Sequence, residues 1–355
     1  MASGADRRIL VTGATGLIGC HSVAALVRRG FAVRALVRDP SKLEKVLAPL
    51  EVPAERVEAV CGDVTRAGSL GDALEGCDAL VHAAGLFSHE LADAEALEDV
   101  NVRGTENVLT SAARAGLDPM VHVSSFLALL PPCRERLGAD DPVSTPRAIY
   151  ARTKAASDRV ARALQQDGAP VVIVYPASVQ GPDDPTVGSG PGVFADMLRR
   201  GRVLVTSGGL VYTDVRDLAL LIARLQAPGQ GPRRILASAD FVDHARFHRL
   251  LSDLTGRKLK IDRIPAPLLR WMGLVGDVVQ RLTGRRAQLT SEAAMVLTRS
   301  VPFDDAEARA LLGDALHPVE RSFEDLLVWM HRTGVLQAEH VGRLAVSPRP
   351  PSCST

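Results

Sequence analysis

Tyr150 and Lys154 stand four residues apart in the stretch YARTK. On a helix this spacing differs by ~40° in azimuth and ~6 Å in height, so both side chains share a face. A phenol with a reference pKa near ~10 is a poor base at neutral pH. A neighbouring ammonium favours the phenolate and lowers that pKa. The pair therefore suits proton transfer to or from a substrate oxygen while hydride moves at the adjacent carbon. A third polar group should orient that oxygen, and Ser125 in HVSSF is the candidate. Ser124 is the alternative, because a one-residue shift along a strand reverses side-chain direction. The same residues also fit an amphipathic surface helix and two strand-end serines that serve only local hydrogen bonds.

Hydride chemistry needs a carrier. In VTGATGLIGCH (11–21), Gly13, Gly16 and Gly19 are spaced by three. Gly13 permits a sharp turn, Gly16 lets a pyrophosphate approach the backbone, and Gly19 lets a helix pack close to a strand. Thr15, Leu17 and Ile18 complete the phosphate end, where a helix N-terminus offers free N–H groups and a positive dipole end. Asp63 and Val64 in GDVT and Ala83, Ala84 and Gly85 in HAAG would flank the adenosine half of a dinucleotide. The end of the second strand reads Val37-Arg38-Asp39-Pro40, with Arg38 where a 2′-phosphate could be forked. NADP(H) is expected over NAD(H) on that basis, because NAD users generally place an acid there. The competing arrangement leaves Arg38 solvated and gives the ribose to Asp39.

These residues must be positioned by regular elements. Strands are expected at 8–12, 32–38, 57–63, 79–84, 120–125 and 170–176. Helices are expected at 17–29, 41–49, 93–115 and 146–166. Continuous Val/Ile/Leu/Ala strands alternating with amphipathic helices indicate a doubly wound α/β fold, a parallel sheet covered on both faces. Residues 1–177 form the expected dinucleotide-binding domain, with 214–238 returning to it. A smaller, mostly helical cap comprises 178–213 and 239–335. Residues 336–355 are expected to be a partly disordered tail, ending in the Pro/Ser-rich SPRPPSCST.

The chain has 355 residues, 42 basic and 41 acidic side chains and a net charge of +1, which excludes a general polyanion-binding surface. Its five cysteines are odd in number and form no C-x-x-C pair, so a reducing cytoplasm fits best. No signal peptide is evident, and no uncharged apolar run reaches the ~18 residues that span a bilayer. The stretch PAPLLRWMGLVGDVVQRL (265–282) reads as a helix with one apolar face. It would pack on the body or form a lid, with peripheral membrane contact as the alternative. No metal site is expected.

Taken together, Thr12-Gly13-x-x-Gly16-x-x-Gly19, GDVT, HAAG, NVRGT (101–105), VSS, Tyr150-x-x-x-Lys154 and YPASVQGP (175–182) resemble the extended short-chain dehydrogenase/reductase family. This is the NAD-dependent epimerase/dehydratase superfamily. The resemblance spans residues 8–335. VRALVRDP (33–40) is most similar to the dihydroflavonol-4-reductase branch, with 3β-hydroxysteroid dehydrogenases nearby. It implies a Rossmann-type fold and a substrate-binding cap. It also implies an Asn101 that shapes a proton-relay water site, and Pro176, Ala177 and Ser178 beside the nicotinamide. A homodimer through 93–115 and 146–166 is a further implication. Tyr175 departs from the arginine of many relatives. Phe126 and Leu127 stand where sugar-nucleotide dehydratases carry an acid pair, which disfavours dehydration.

The expected activity is therefore NAD(P)-dependent interconversion of a ketone or aldehyde and an alcohol on a hydrophobic small-molecule substrate. Pocket edges are expected at 126–148, 179–198 and 264–297, with Leu268, Leu269, Trp271, Met272 and Met295 as apolar walls. A nucleotide-sugar epimerase holding NAD tightly and a non-catalytic dinucleotide sensor are the alternatives.

Overall fold

The computed structural model describes residues 7–186, 189–283 and 289–346. The first half alternates strand and helix: β1 (Arg8–Thr12), α1 (Leu17–Arg28), β2 (Ala32–Val37), α2 (Ser41–Leu47), β3 (Val57–Cys61), α3 (Gly71–Leu74) and β4 (Ala79–His82). It continues through α4 (Ala94–Glu98), α5 (Gly104–Arg114), β5 (Met120–Val123), α6 (Ile149–Gln166) and β6 (Val171–Tyr175). The second half carries β7 (Ser178–Gln180), α7 (Ser189–Arg200), β8 (Arg202–Val205), β9 (Gly209–Asp214), α8 (Val215–Arg224), β10 (Arg233–Leu236) and β11 (Asp240–Asp243). It ends with α9 (His244–Thr255), β12 (Lys260–Arg263), α10 (Ala266–Thr283), α11 (Ser291–Arg299), α12 (Ala306–Leu312), α13 (Val319–Arg332) and α14 (Ala338–Val341).

Seven strands form a parallel sheet in the order β10-β6-β5-β4-β1-β2-β3. The order reverses between β1 and β4, and ligands of such sheets bind at that crevice, beyond the carboxyl ends of the strands. Both faces are covered, so Ile9, Val11, Val81, Val121 and Val172 fill one core layer while Leu10, Leu80, Met120 and Ile173 fill the other. That burial on both sides is why these strands read as apolar runs rather than alternating ones.

Beyond β6 the chain builds a second, three-stranded sheet, β11-β9-β7, and a two-stranded pair, β12-β8. A third core gathers Phe194, Tyr212, Phe247 and Phe323, whose ring centroids lie 5.0–5.9 Å apart.

Several elements depart from expectation. The helix expected over 93–115 contains a π-helical segment at Asp99–Arg103, which carries Asn101. Such a segment re-aims side chains within a continuous helix. The helix expected from 146 begins at Ile149, because Ala148 is extended at ψ 141°. Residues 189–200, in the pocket edge next to a Gly/Pro cluster, are the helix α7. Residues 338–341 are helical and Val341 and Leu336 are buried, so order extends into the expected tail. SPRPPSCST (347–355) lies outside the described residues. Among the described residues, no helix is long and apolar enough to cross a membrane.

Candidate active site

β1 delivers the chain to a tight turn. Gly13 has φ +74°, and a Cβ there would lie 2.6 Å from the Ala84 nitrogen and 2.7 Å from the Ala83 carbonyl. A Cβ on Gly19 would sit 2.0 Å from the Gly13 oxygen, so α1 can approach β1 only without a side chain. Gly16 differs. Its Cβ would meet nothing nearer than 3.5 Å, so the protein's own packing does not demand a glycine there. Gly16 also starts α1, whose first turn has no side-chain cap and no acid. Thr15, Leu17 and Ile18 beside it are half-buried. A bare backbone and an uncapped helix N-terminus fit an anionic pyrophosphate.

The floor of this cradle is a buried polar chain. Ala83 donates to the Thr12 carbonyl at 3.2 Å and Ala84 to the Thr12 hydroxyl at 3.3 Å. That hydroxyl lies 2.7 Å from His82 Nδ1, and His82 Nε2 lies 3.1 Å from the Thr105 hydroxyl, which donates to the Asn101 carbonyl. Burial, with the Lys154 charge, pushes His82 down to about 3, so it is a neutral hydrogen-bonding spacer. Ala83 and Ala84 are half-buried and Gly85 is exposed.

At the far end, Asp63 Oδ1 accepts from the Thr65 N–H and hydroxyl, both at 2.9 Å. Burial opposes its charge, but these bonds and the charges of Arg38 and Arg66 hold the carboxyl below its ordinary value. Half of the carboxylate expected to face adenine is thus spent on a local turn. Val64 packs on Gly104, where a Cβ would come within 2.9 Å of it. Arg38 is exposed, and its guanidinium has no hydrogen bond or ion pair among the described residues. Asp39, by contrast, accepts from the Ser41 N–H at 3.0 Å and the Ser41 hydroxyl at 2.6 Å.

Two of the residues expected to react, Ser125 and Lys154, lie at the carboxyl end of β5. Ser124 donates to Asp158 Oδ1 at 2.9 Å and so points to the side of α6. Ser125 starts a 3₁₀ turn at Phe126–Leu129, its oxygen accepting from the Leu127 N–H at 3.2 Å. Lys154 is buried, and its Nζ donates to the Val123 carbonyl at 3.1 Å, which sets the ammonium beside the two serines. Burial lowers Lys154 to about 8, with Asp158 opposing.

The phenol of Tyr150 does not follow the expectation drawn from spacing. Burial, then the charge of Glu292, raise it above its ordinary value. Lys154 is turned toward Val123, so its ammonium does not offset them in this arrangement.

Tyr150, Lys154, Asp158 and Arg162 form a ladder at four-residue intervals on α6. Arg162 Nε donates to Asp158 Oδ2 at 2.8 Å, and its Nη2 donates to the Tyr175 hydroxyl at 2.9 Å. Tyr175, fully buried, donates to Asp158 at 3.2 Å. Tyr175 thus completes a buried network that fixes α6 against β5 and β6. Sequence reasoning missed this network, whose one local sign is the four-residue spacing of Asp158 and Arg162. Asn101 clamps the loop after β4 to α6: it exchanges hydrogen bonds with the Leu86 backbone at 2.8 and 2.9 Å and donates to Thr153 at 3.0 Å.

Glu292 on α11 has no local sequence signal. It is 3% exposed, yet its Oε2 accepts the Ala151 N–H at 3.3 Å and its Oε1 lies 3.4 Å from His89 Nδ1. α6 has no side-chain cap of its own, so Glu292 supplies one from a distant segment. Burial, opposed by that N–H and aided by Asp277, raises its carboxyl to about 7. Phe87 stands edge-on to Tyr150 at 4.6 Å between ring centroids and to His89 at 4.7 Å.

Pro176 and Ala177 are buried, Ser178 is half-buried, and the Ala177 N–H donates to the Thr213 hydroxyl at 3.2 Å. The expected walls are corrected in part. Leu268, Trp271 and Met272 are exposed on α10, because the buried stripe of that helix is Leu269, Gly273 and Gln280. Met295 packs on the same core as Tyr150. Asp214, Asp217 and His317 lie close enough to share a cation, but Arg216 grips both oxygens of Asp214 and His317 lies 2.6 Å from Asp217.

The model of the NAD dependent epimerase/dehydratase family matches residues 9–235. The chain is 32% identical over 318 residues to the 4-hydroxy-2-methyl-3-oxo-4-farnesyl-3,4-dihydroquinoline-1-oxide ketoreductase of Stigmatella aurantiaca, covering 87% of this chain and 92% of the relative. It is 28% identical over 287 residues to a 3 beta-hydroxysteroid dehydrogenase/Delta 5→4-isomerase of Mycobacterium tuberculosis, covering 75% and 74%. Among solved structures, the crystal structure of gox2253 superposes with a TM-score of 0.74 at 25% identity, over 94% of this chain and 100% of that one.

Proposed function

The chain belongs to the NAD-dependent epimerase/dehydratase family and is an NAD(P)-dependent oxidoreductase, and from that premise we propose that it interconverts a carbonyl and an alcohol on an apolar substrate through Ser125, Tyr150 and Lys154. The observation that carries this reading is the division of labour at the end of β5. Ser124 is spent on Asp158, whereas Ser125 stands at the strand end and Lys154, from the same helix as Tyr150, reaches down to the Val123 carbonyl beside it.

A nicotinamide dinucleotide, when bound, supplies or accepts the hydride. The chain's own residues handle the proton. In the reducing direction the Tyr150 O–H donates to the carbonyl oxygen, and the Ser125 hydroxyl hydrogen-bonds and orients that oxygen. Tyr150 is protonated at neutral pH, as the reducing direction requires, and its raised pKa makes the phenol a weaker acid until a cation approaches it. Lys154, charged below about 8, stabilises the phenolate left behind once its ammonium turns from Val123. Gly13, Gly16, Gly19 and the start of α1 would hold the pyrophosphate, Ala83, Ala84, Gly85, Asp63 and Val64 the adenosine half, and Pro176, Ala177 and Ser178 the nicotinamide side.

NADP(H) is the proposed cofactor. The Arg38 guanidinium has no hydrogen bond or ion pair among the described residues, and Oδ1 of Asp39, the residue that would hold a ribose, already accepts two hydrogen bonds from Ser41. An apolar substrate is supported by the exposed Phe87 ring against Tyr150 and by the farnesyl-bearing compound named for the Stigmatella relative.

The test is a panel of ring-containing ketones and aldehydes with NADPH, alongside dinucleotide released from denatured protein. Turnover of apolar carbonyls with little retained dinucleotide is expected. Stoichiometric retained NAD, with epimerisation of a nucleotide sugar and no net NADPH use, would overturn it.

A further inference from the structure

α10 is seated by one narrow stripe. Gly273 lies against α11, where a Cβ would come 2.8 Å from the Thr290 carbonyl and 3.0 Å from Ala294. Asp277 accepts from the Ser291 N–H at 3.1 Å and from its hydroxyl, and Gln280 donates to the His89 carbonyl at 2.9 Å. The opposite face is apolar and open to solvent. Of the eleven exposed large hydrophobic residues among the described ones, eight are on this helix: Leu268, Trp271, Met272, Leu274, Val275, Val278, Val279 and Leu282. Trp271 is 61% and Leu282 81% exposed. At ~100° per residue they fill an arc of about 160°, far broader than the scattered apolar residues of an ordinary surface.

Charge identifies what covers it. Arg270 and Arg281 flank one edge of this arc by helical phase, and neither has an ion-pair partner among the described residues. Asp262 is ion-paired with Arg202, and Asp277 is hydrogen-bonded to Ser291 on the seated side of the helix, away from the apolar arc. A two-fold pairing with a second copy would bring like charges together across a self-complementary interface. An anionic lipid surface would neutralise them while taking up the apolar arc.

We propose that α10 is a peripheral membrane-docking helix that lies in the headgroup layer of anionic lipid. It borders the loop 87–89 beside Tyr150, so docking sets the site's rim against the bilayer.

The test is flotation of the full chain with phosphatidylcholine vesicles, with and without phosphatidylglycerol, and light scattering without lipid. Binding that is at least about tenfold stronger to the anionic vesicles is expected. Arg270→Gln and Arg281→Gln should each weaken it about fivefold, as should raised salt. Val278→Glu/Leu282→Glu should abolish it with melting temperature unchanged, since both positions face solvent. Equal or absent binding to the two vesicle types overturns the proposal. So does a wild-type dimer that the double glutamate variant converts to monomer without any vesicle binding.

Discussion

Replacing Glu292 by Gln changes one charge beside Tyr150 and leaves an oxygen to accept the Ala151 N–H. The unfolded carboxyl titrates near 4.5 and the folded one near 7, raised chiefly by burial. The folded state therefore holds this proton more tightly than the unfolded state. Its contribution to stability is complete below pH 4.5 and is lost as pH rises to about 7. The interval of roughly 2.5 units, at ~1.36 kcal/mol each, is about 3 kcal/mol. Glu292 is 3% exposed, so solvent screening removes little of it. Urea unfolding of both proteins between pH 4.5 and about 8 tests this. The advantage of Glu292→Gln over wild type should grow by about 3 kcal/mol across that range, with unchanged denaturant slope. The same variant removes one of the two influences that raise Tyr150, so the pH profile of alcohol oxidation should move to lower pH. A stability difference that is constant with pH would refute the reasoning, because the carboxyl would then be solvated in the folded state.

Two further substitutions test the cofactor end. Arg38→Gln should reduce the preference for NADPH over NADH by about ten- to a hundredfold in kcat/KM, the worth of a charge-assisted hydrogen bond. An unchanged ratio would assign selectivity elsewhere. Gly16→Ala and Gly19→Ala should separate binding from folding. The first leaves the melting temperature within about 2 °C but weakens dinucleotide binding measured by fluorescence titration. The second forces a contact at 2.0 Å and destabilises the fold by ~1–3 kcal/mol or more.

Much of this architecture is legible in local patterns. Apolar runs fall on β1, β2, β4, β5 and β6 because both faces of the sheet are buried. The glycine spacing is legible because the positive φ of Gly13 and the close approach of Gly19 to the Gly13 carbonyl are properties of one turn, although Gly13 also answers to Ala83 and Ala84, seventy residues on. What is not legible depends on distant partners. The choice between Ser124 and Ser125 is made by Asp158, more than thirty residues on. Glu292 reads as an ordinary helix-start acid, and only the fold brings it 141 residues back to Ala151. The orientation of Lys154 toward Val123 also escapes spacing, which specifies a helix face but not which oxygen the ammonium chooses. Trp271 illustrates the same limit: a helical period identifies an apolar face without saying whether the protein covers it.

The central claim is that Tyr150 transfers the proton. The most direct measurement is single-turnover reduction of an apolar ketone with NADPH by Tyr150→Phe, with dinucleotide affinity measured in parallel. The account predicts a loss of ~10²–10⁴ in the rate with affinity nearly unchanged, the range for removal of a positioned general acid. A variant that reduces the ketone within tenfold of the wild-type rate would contradict it.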